Sequence, residues 1–315
     1  MSAKSQYTIV ELQSGARTVR SLLEAETFHP VIGPSAEAEA LYVKQLRLPE
    51  RMRASTGEFV IWDVGLGAGA NALTAIKLIG DQLEMPKSLR LISFDLTTDA
   101  LAFALSHAAQ LDFVSGYEAP VADLLNEEFA QFQRRNLTVT WQLCRGDFPA
   151  LLNSGSAGRG VQSHAPGSSR GSAGRPGQGM DIPPPHAILF DPHSPAKNPA
   201  MWTVQLFKNL FGALDPQRPC ALANYTRATL ARTAMLLGGF SVGVGHATGF
   251  KEETTVAANS LELIAEPLNQ RWLERARRSH SAEPLVEPVY QCAPLAANTW
   301  EKLRAHPQFN HGFHR

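Results

Sequence analysis

Four aspartates in this 315-residue sequence stand at or just after the ends of apolar, β-rich runs: Asp63 in FVIWD, Asp95 in LRLISFD, Asp147 after LTVTWQLC and Asp191 in AILFD. The first leads into DVGLGAGAN. Gly65 and Gly67 permit a tight turn and the close approach of a ligand, and Gly69 lets the next helix pack near the strand, with Asn71 in its first turn. Such a turn is shared by nicotinamide, flavin and S-adenosylmethionine binders. An acid directly before it opposes a pyrophosphate but can organise a site around the cationic amino-acid portion of S-adenosylmethionine; a turn-capping acid is the alternative. Asp95 can accept hydrogen bonds from both ribose hydroxyls, a role it would equally play for NAD. Asp147 can accept from an adenine amino group, with Phe148 lying against the ring, or it can cap the helix that follows.

The segment ILFDPHSPAKNPAMWT offers a second chemistry. A buried strand delivers Asp191, and two prolines and a polar loop then hold Ser194, Lys197 and Asn198 before a helix carrying Trp202. Methyl transfer to an amine requires a neutral nitrogen in line with the methyl donor. Asp191 is the candidate catalytic group, able to orient an ammonium and receive its proton; Ser194, Lys197, Asn198 and Trp202 are candidate substrate contacts. Loop capping is the alternative for Asp191 and Asn198. His29 and His193 are candidate general bases because imidazole titrates near neutral pH. No histidine pair has metal-ligand spacing, so no metal is expected.

These residues need an α/β frame. From Glu58, short β-rich runs alternate with helical segments, the signature of a mostly parallel sheet with helices on both faces. Helices are expected at about 69–79, 98–109, 199–214 and 228–237. FSVGVG and TTVAAN, joined by a short turn, predict an antiparallel C-terminal hairpin at the sheet edge. Residues 1–57 read as an N-terminal extension with an extended piece at 7–12. A helix through SAEAEALYVKQLRL follows, with Ala36, Ala40, Val43 and Leu46 on its packed face and Glu37, Glu39 and Lys44 toward solvent. Residues 58–260 form the expected catalytic domain, interrupted by a Gly/Ser/Pro-rich loop at 153–185 that has too little apolar material to order itself. Residues 261–315 read as a tail with a basic helical piece at Arg271, Arg275, Arg277 and Arg278.

Hydrophobic residues are 44% and charged residues 18% of the chain, which excludes wholesale disorder. Twenty-nine basic side chains balance 29 acidic ones, so a nucleic-acid partner must be met by a local basic surface. Three widely spaced cysteines suggest a reducing compartment. With no signal-like N-terminus and no run near the roughly 18 apolar residues of a membrane span, the expectation is a cytoplasmic protein without a membrane partner.

DVGLGAGAN, followed much later by LFDPHSPAKNPAMWT and LLGGFSV, resembles the MnmC-like methyltransferases, over roughly Asp63 to Asn259. The resemblance implies a class I methyltransferase (Rossmann-like) fold with a seven-stranded, mostly parallel sheet, S-adenosyl-L-methionine as donor, and tRNA as partner. The acceptor would be the aminomethyl group of a modified wobble uridine, and only the methyl-transfer half of the fused family members would be present. By matching positions, Asp63, Gly65, Gly67, Gly69 and Asn71 would bind cofactor and Asp191 would face the amine. The chain departs from the family pattern at Asp63, usually glutamate, and at Pro192 and His193, usually a small residue and an aromatic. A small-molecule or protein acceptor, and nicotinamide chemistry on the same glycine turn, are the competing readings.

Overall fold

The structure is a computed structural model that describes residues 5–156, 182–249 and 252–310; most of the expected 153–185 loop lies outside the described residues. The chain opens with an antiparallel sheet of three short strands, β1 (Tyr7–Glu11), β2 (Arg17–Ser21) and β3 (Glu26–Thr27). Helix α1 (Pro34–Ala38), a π-helical turn at Glu39–Lys44 and α2 (Leu48–Ala54) follow. The main unit then runs β4 (Phe59–Val64), α3 (Ala70–Gln82), β5 (Lys87–Asp95), α4 (Asp99–Ser106), α5 (Glu118–Glu127), β6 (Phe129–Arg134), β7 (Leu137–Arg145) and α6 (Phe148–Ser156). It continues with β8 (Ala187–Phe190), α7 (Val204–Gly212), β9 (Ala221–Asn224), α8 (Thr229–Leu237), β10 (Ser241–Gly245) and β11 (Thr254–Ala258), and closes with α9 (Gln270–Arg277), α10 (Ala297–Arg304) and α11 (Pro307–Asn310).

All six residues of β4 are buried, as a central parallel strand covered on both faces must be. Its alternate side chains divide between two apolar layers: Phe59 and Ile61 pack with Leu73, Ile76 and Ile79 of α3, and Val60, Trp62 and Val64 pack with Phe207 and Leu210 of α7. The sheet order is β10-β11-β9-β8-β4-β5-β7-β6, with eight strands where seven were expected. The additional strand is β6, which forms a hairpin with β7 on the far edge. Its sequence FAQFQR is rich in Gln and Arg and carries only a short alternation, buried Ala130 against exposed Phe129 and Gln131. The expected C-terminal hairpin is present, β10 antiparallel to β11, with β11 inserted antiparallel against β9.

Three further expectations shift. Ala36 is exposed whereas Glu37 is buried with Ala38, Leu41 and Tyr42, because the π-helical turn at Glu39–Lys44 rotates the face that meets α3. The helix expected through 199–214 breaks at Thr203, whose side chain caps α7 through the Leu206 N–H. The segment after Ser260 is packed on the core: Trp272, Leu273 and Ala276 join the layer holding Phe240 and Val242. It also covers the open edge of β10, with Leu268 N–H donating to Val242 O and Val244 N–H to Glu266 O, both at 2.9 Å. Among the described residues no helix is long and apolar enough to cross a membrane.

Candidate active site

Parallel strands β4, β5 and β8 lie side by side, so their C-terminal ends bring Asp63, Asp95 and Asp191 to one edge of the sheet. Ligands in open α/β sheets bind there, where strand order reverses on either side of the first strand. The glycine turn rises from β4 with positive φ at Gly65, Gly67 and Gly69 (93°, 53° and 85°). Gly65 and Gly67 are partly accessible; Gly69 is buried at the start of α3. At Gly65 a Cβ would come within 2.6 Å of the Asp191 carbonyl oxygen, so absence of a side chain there allows the loop after β8 to lie against the turn.

Asp95 accepts from Gly67 N–H at 2.9 Å through Oδ2, fixing the turn, and its carboxylate keeps lone pairs for ribose hydroxyls. Burial raises its pKa, and the Gly67, Thr97 and Leu96 amides pull it back. Asp63 is wholly buried beneath the turn and takes a 2.7 Å hydrogen bond from the Ser93 hydroxyl, which itself accepts from Trp141 Nε1. Burial pushes its pKa up to about 7 against that hydrogen bond. Its Oδ1, and Oδ1 of buried Asn71, are acceptors with no hydrogen-bond partner among the described residues. Two orphaned acceptors beneath a glycine turn fit a ligand that brings donors, as the ammonium of S-adenosylmethionine does. Asp63, Asn71, Asp95 and the turn would hold that cofactor, which when bound supplies an electrophilic methyl.

Other sequence candidates divide. Asp147 is exposed and accepts from Ala150 N–H at 3.2 Å, so it caps α6. Phe148 does not lie open for an adenine ring; it is buried edge-on against Phe94, centroids 5.0 Å apart. Ser194 holds the loop through its carbonyl, which accepts from the Lys197 and Asn198 amides at 2.9 Å. Lys197 is exposed and reaches the Glu24 carbonyl, and Asn198 precedes the 3-10 turn at Pro199–Trp202 without capping it by its side chain. Trp202 is fully buried among Phe190, Phe207 and Tyr225, so its ring cannot touch a substrate. It supports the loop from below by donating from Nε1 to the His193 carbonyl at 2.9 Å.

Asp191 is the meeting point. Its Oδ2 accepts from Asn71 Nδ2 at 2.7 Å. Burial raises its pKa, while His29, the Asn71 amide and the Tyr42 hydroxyl pull it down and Glu37 pushes it up. Tyr225, whose hydroxyl donates to the Pro192 carbonyl at 2.9 Å, also feels Asp191, Glu26 and Glu37. Glu37, Tyr42 and Tyr225 were not among the sequence candidates. Glu37 was read as solvent-facing, and no local pattern marks the tyrosines; only the packing of the π-helical turn and the end of β9 beside β8 brings them in. His193 pairs with Glu26 at 3.0 Å near the surface, whereas His29 sits inside, 3.7 Å from Glu37. Among the described residues no group of three or more His, Cys, Asp or Glu is arranged to hold a metal ion.

A family described as S-adenosyl-L-methionine-dependent methyltransferase matches residues 183–260, the stretch from β8 through the C-terminal hairpin. The tRNA 5-methylaminomethyl-2-thiouridine biosynthesis bifunctional protein MnmC of Ectopseudomonas mendocina is 26% identical over 275 residues, covering 84% of this chain and 37% of its own length. The protein of the same name from Methylibium petroleiphilum is 26% identical over 264 residues, covering 83% of this chain and 36% of its own. The chain thus spans little more than a third of the curated relatives it matches. The crystal structure of MNMC2 from Aquifex aeolicus superposes with a TM-score of 0.63 at 19% identity, covering 96% of this chain and 86% of that one, a likeness of fold. The inserted antiparallel β11 also separates this sheet from the nicotinamide-binding arrangement that the glycine turn alone left open. The chain is a class I S-adenosyl-L-methionine-dependent methyltransferase that resembles the MnmC proteins over roughly a third of their length.

Proposed function

We propose that this enzyme methylates a primary amine, the aminomethyl group of a modified wobble uridine in tRNA. The observation that carries the reading is the Asp191 carboxylate, hydrogen-bonded to Asn71 beside the glycine turn and within electrostatic reach of Glu37, Tyr42 and Tyr225. A cluster of carboxylates and phenols attracts a cationic amine and disfavours a carboxylate or phosphate acceptor. Asp191 would orient the amine, and Asn71 would fix Asp191 relative to the cofactor turn, so that positioning supplies most of the acceleration. Ser194, Lys197 and Asn198 would border the bound acceptor. Similarity to proteins named for 5-methylaminomethyl-2-thiouridine biosynthesis in tRNA supports the nucleoside. The exposed Arg227, two residues past Tyr225 at the end of β9, and the exposed Arg271 and Arg275 of α9 would meet RNA phosphates.

The test is methyl transfer from S-adenosylmethionine to tRNA carrying 5-aminomethyl-2-thiouridine, with nucleosides analysed after digestion. The methylaminomethyl product is expected. Transfer to free amines but not to this tRNA would instead favour a small-molecule acceptor.

A further inference from the structure

We propose that His29 and Glu37, both from the N-terminal segment, form the proton-accepting pair of the reaction: Asp191 holds the acceptor amine and the His29 imidazole takes its proton. The inference rests on the amine acceptor proposed above. His29 Nδ1 lies 3.7 Å from Glu37 Oε2, and the two side chains are only 12% and 10% exposed. Of the neighbouring charges, His29 acts most strongly on Asp191.

The placement of His29 is enforced. Its φ is 49°, in the left-handed region that a non-glycine residue occupies only when its surroundings hold it there. Phe28, before it, is tied to β2 through its N–H to Val19 O at 2.9 Å and through its carbonyl, which accepts from Thr18 Oγ1 at 2.5 Å. The Phe28 ring lies over the glycine turn, 3.5 Å from where a Gly67 Cβ would stand. Beyond it, Val31 and Ile32 pack on Gly249.

The chemistry needs such a pair. An alkyl ammonium must lose a proton before its nitrogen lone pair is available. If Asp191 took that proton it would become neutral and release its hold on the amine. With His29 as acceptor, the ammonium gives one proton to the imidazole, whose positive charge Glu37 stabilises. The nitrogen then forms its bond to the methyl carbon as the carbon–sulfur bond breaks and that electron pair passes to sulfur. The product leaves as the methylated ammonium, and the imidazolium returns its proton to solvent, so one proton is released for each methyl transferred. The groups set around this centre are Glu37 from α1, Tyr42 from the π-helical turn, Asp63 from β4, Asp191 after β8 and Tyr225 after β9, all acidic or neutral, which suits a cationic imidazolium.

The experiment measures kcat against pH for transfer to tRNA carrying 5-aminomethyl-2-thiouridine, using the full chain and the variants His29→Asn and Glu37→Gln. Asparagine tolerates the left-handed backbone. His29→Asn should bind S-adenosylhomocysteine within two-fold of the parent by calorimetry, which verifies its fold. It should lose about 10²-fold in kcat near pH 7 and recover as pH rises toward the range where alkylamines deprotonate unaided. Glu37→Gln should move the rising limb of the profile to lower pH, because an imidazolium without its carboxylate gives up its proton sooner. A profile unchanged in both variants, or a loss equal at every pH, would overturn the pair while leaving the methyltransferase reading standing. If the parent chain transfers no methyl to this tRNA, the acceptor reading fails and the pair falls with it.

Discussion

Asn71 Nδ2 donates to Asp191 Oδ2 at 2.7 Å, joining the first turn of the helix behind the glycine loop to the residue that follows β8. The two residues lie 120 positions apart in sequence. Through this bond a change at the glycine turn is felt at the Asp191 carboxylate. A hydrogen bond to a charged group contributes about 1.5–3 kcal/mol, and Asp191 is half-buried where it takes this one. Asn71→Ala should therefore reduce kcat by about 10- to 100-fold and also weaken S-adenosylhomocysteine binding. Steady-state kinetics and calorimetry on the same variant check both effects; a change in cofactor affinity alone would show that Asp191 is held by other contacts.

Asp191→Asn keeps the shape of the side chain and removes its charge. Transfer should be lost while cofactor affinity stays within a few-fold, as measured by calorimetry with S-adenosylhomocysteine.

The glycine turn makes an ordered prediction. A methyl group at Gly65, φ 93°, would meet Asp191 O at 2.6 Å, whereas at Gly67, φ 53°, it would meet only the Phe28 ring at 3.5 Å. Gly65→Ala should destabilise the fold by about 1–3 kcal/mol and abolish transfer, and Gly67→Ala should be the milder change in thermal unfolding.

Gln308 is buried at the edge of β10, where its Oε1 accepts from Val242 N–H at 2.7 Å and its Nε2 donates to Val242 O and Leu268 O at 2.7 and 2.8 Å. Gln308→Ala would strand the Val242 N–H of the edge strand and the buried Leu268 carbonyl, while Val242 O keeps its bond from Leu268 N–H. A loss of about 2–5 kcal/mol in urea unfolding is expected, with the cofactor site unaffected.

His186 links stability to acid. Its Nδ1 accepts from Val60 N–H at 2.9 Å, and burial, with Arg218 and Arg51 nearby, lowers its pKa from 6.5 to about 4. Between those values the unfolded chain binds a proton that the folded chain refuses. Its contribution is therefore fully present above about pH 6.5 and is lost as pH falls through about 4. Asp63 has the opposite sign: its carboxyl, raised to about 7, favours the folded state below the ordinary carboxylate range and loses that contribution as pH rises through 7. Histidine NMR titration should find the His186 imidazole neutral at pH 5, and urea unfolding of Asp63→Asn should show a flatter decline between pH 5 and 8 than the parent.

The sequence by itself determined the strand-turn-helix at Asp63, the alternation of strands and helices, the antiparallel end and the strand-end acids Asp95 and Asp191. These are local signals: runs of apolar residues, glycines in a tight turn, and an acid where a buried run stops. It did not determine the company those acids keep. Trp202 looked available because an aromatic after a polar loop reads as exposed, yet it fills the space between Phe190 and Phe207. Glu37 looked solvated because helical periodicity assumes a regular turn, and the π-helical segment at Glu39–Lys44 breaks that regularity. His29, Glu37 and Tyr42 come from one N-terminal segment, and Asn71, Asp191 and Tyr225 from three further stretches of chain. Strand order and the packing of the N-terminal segment over the sheet bring them together, and neither is encoded in the spacing of residues along any one element.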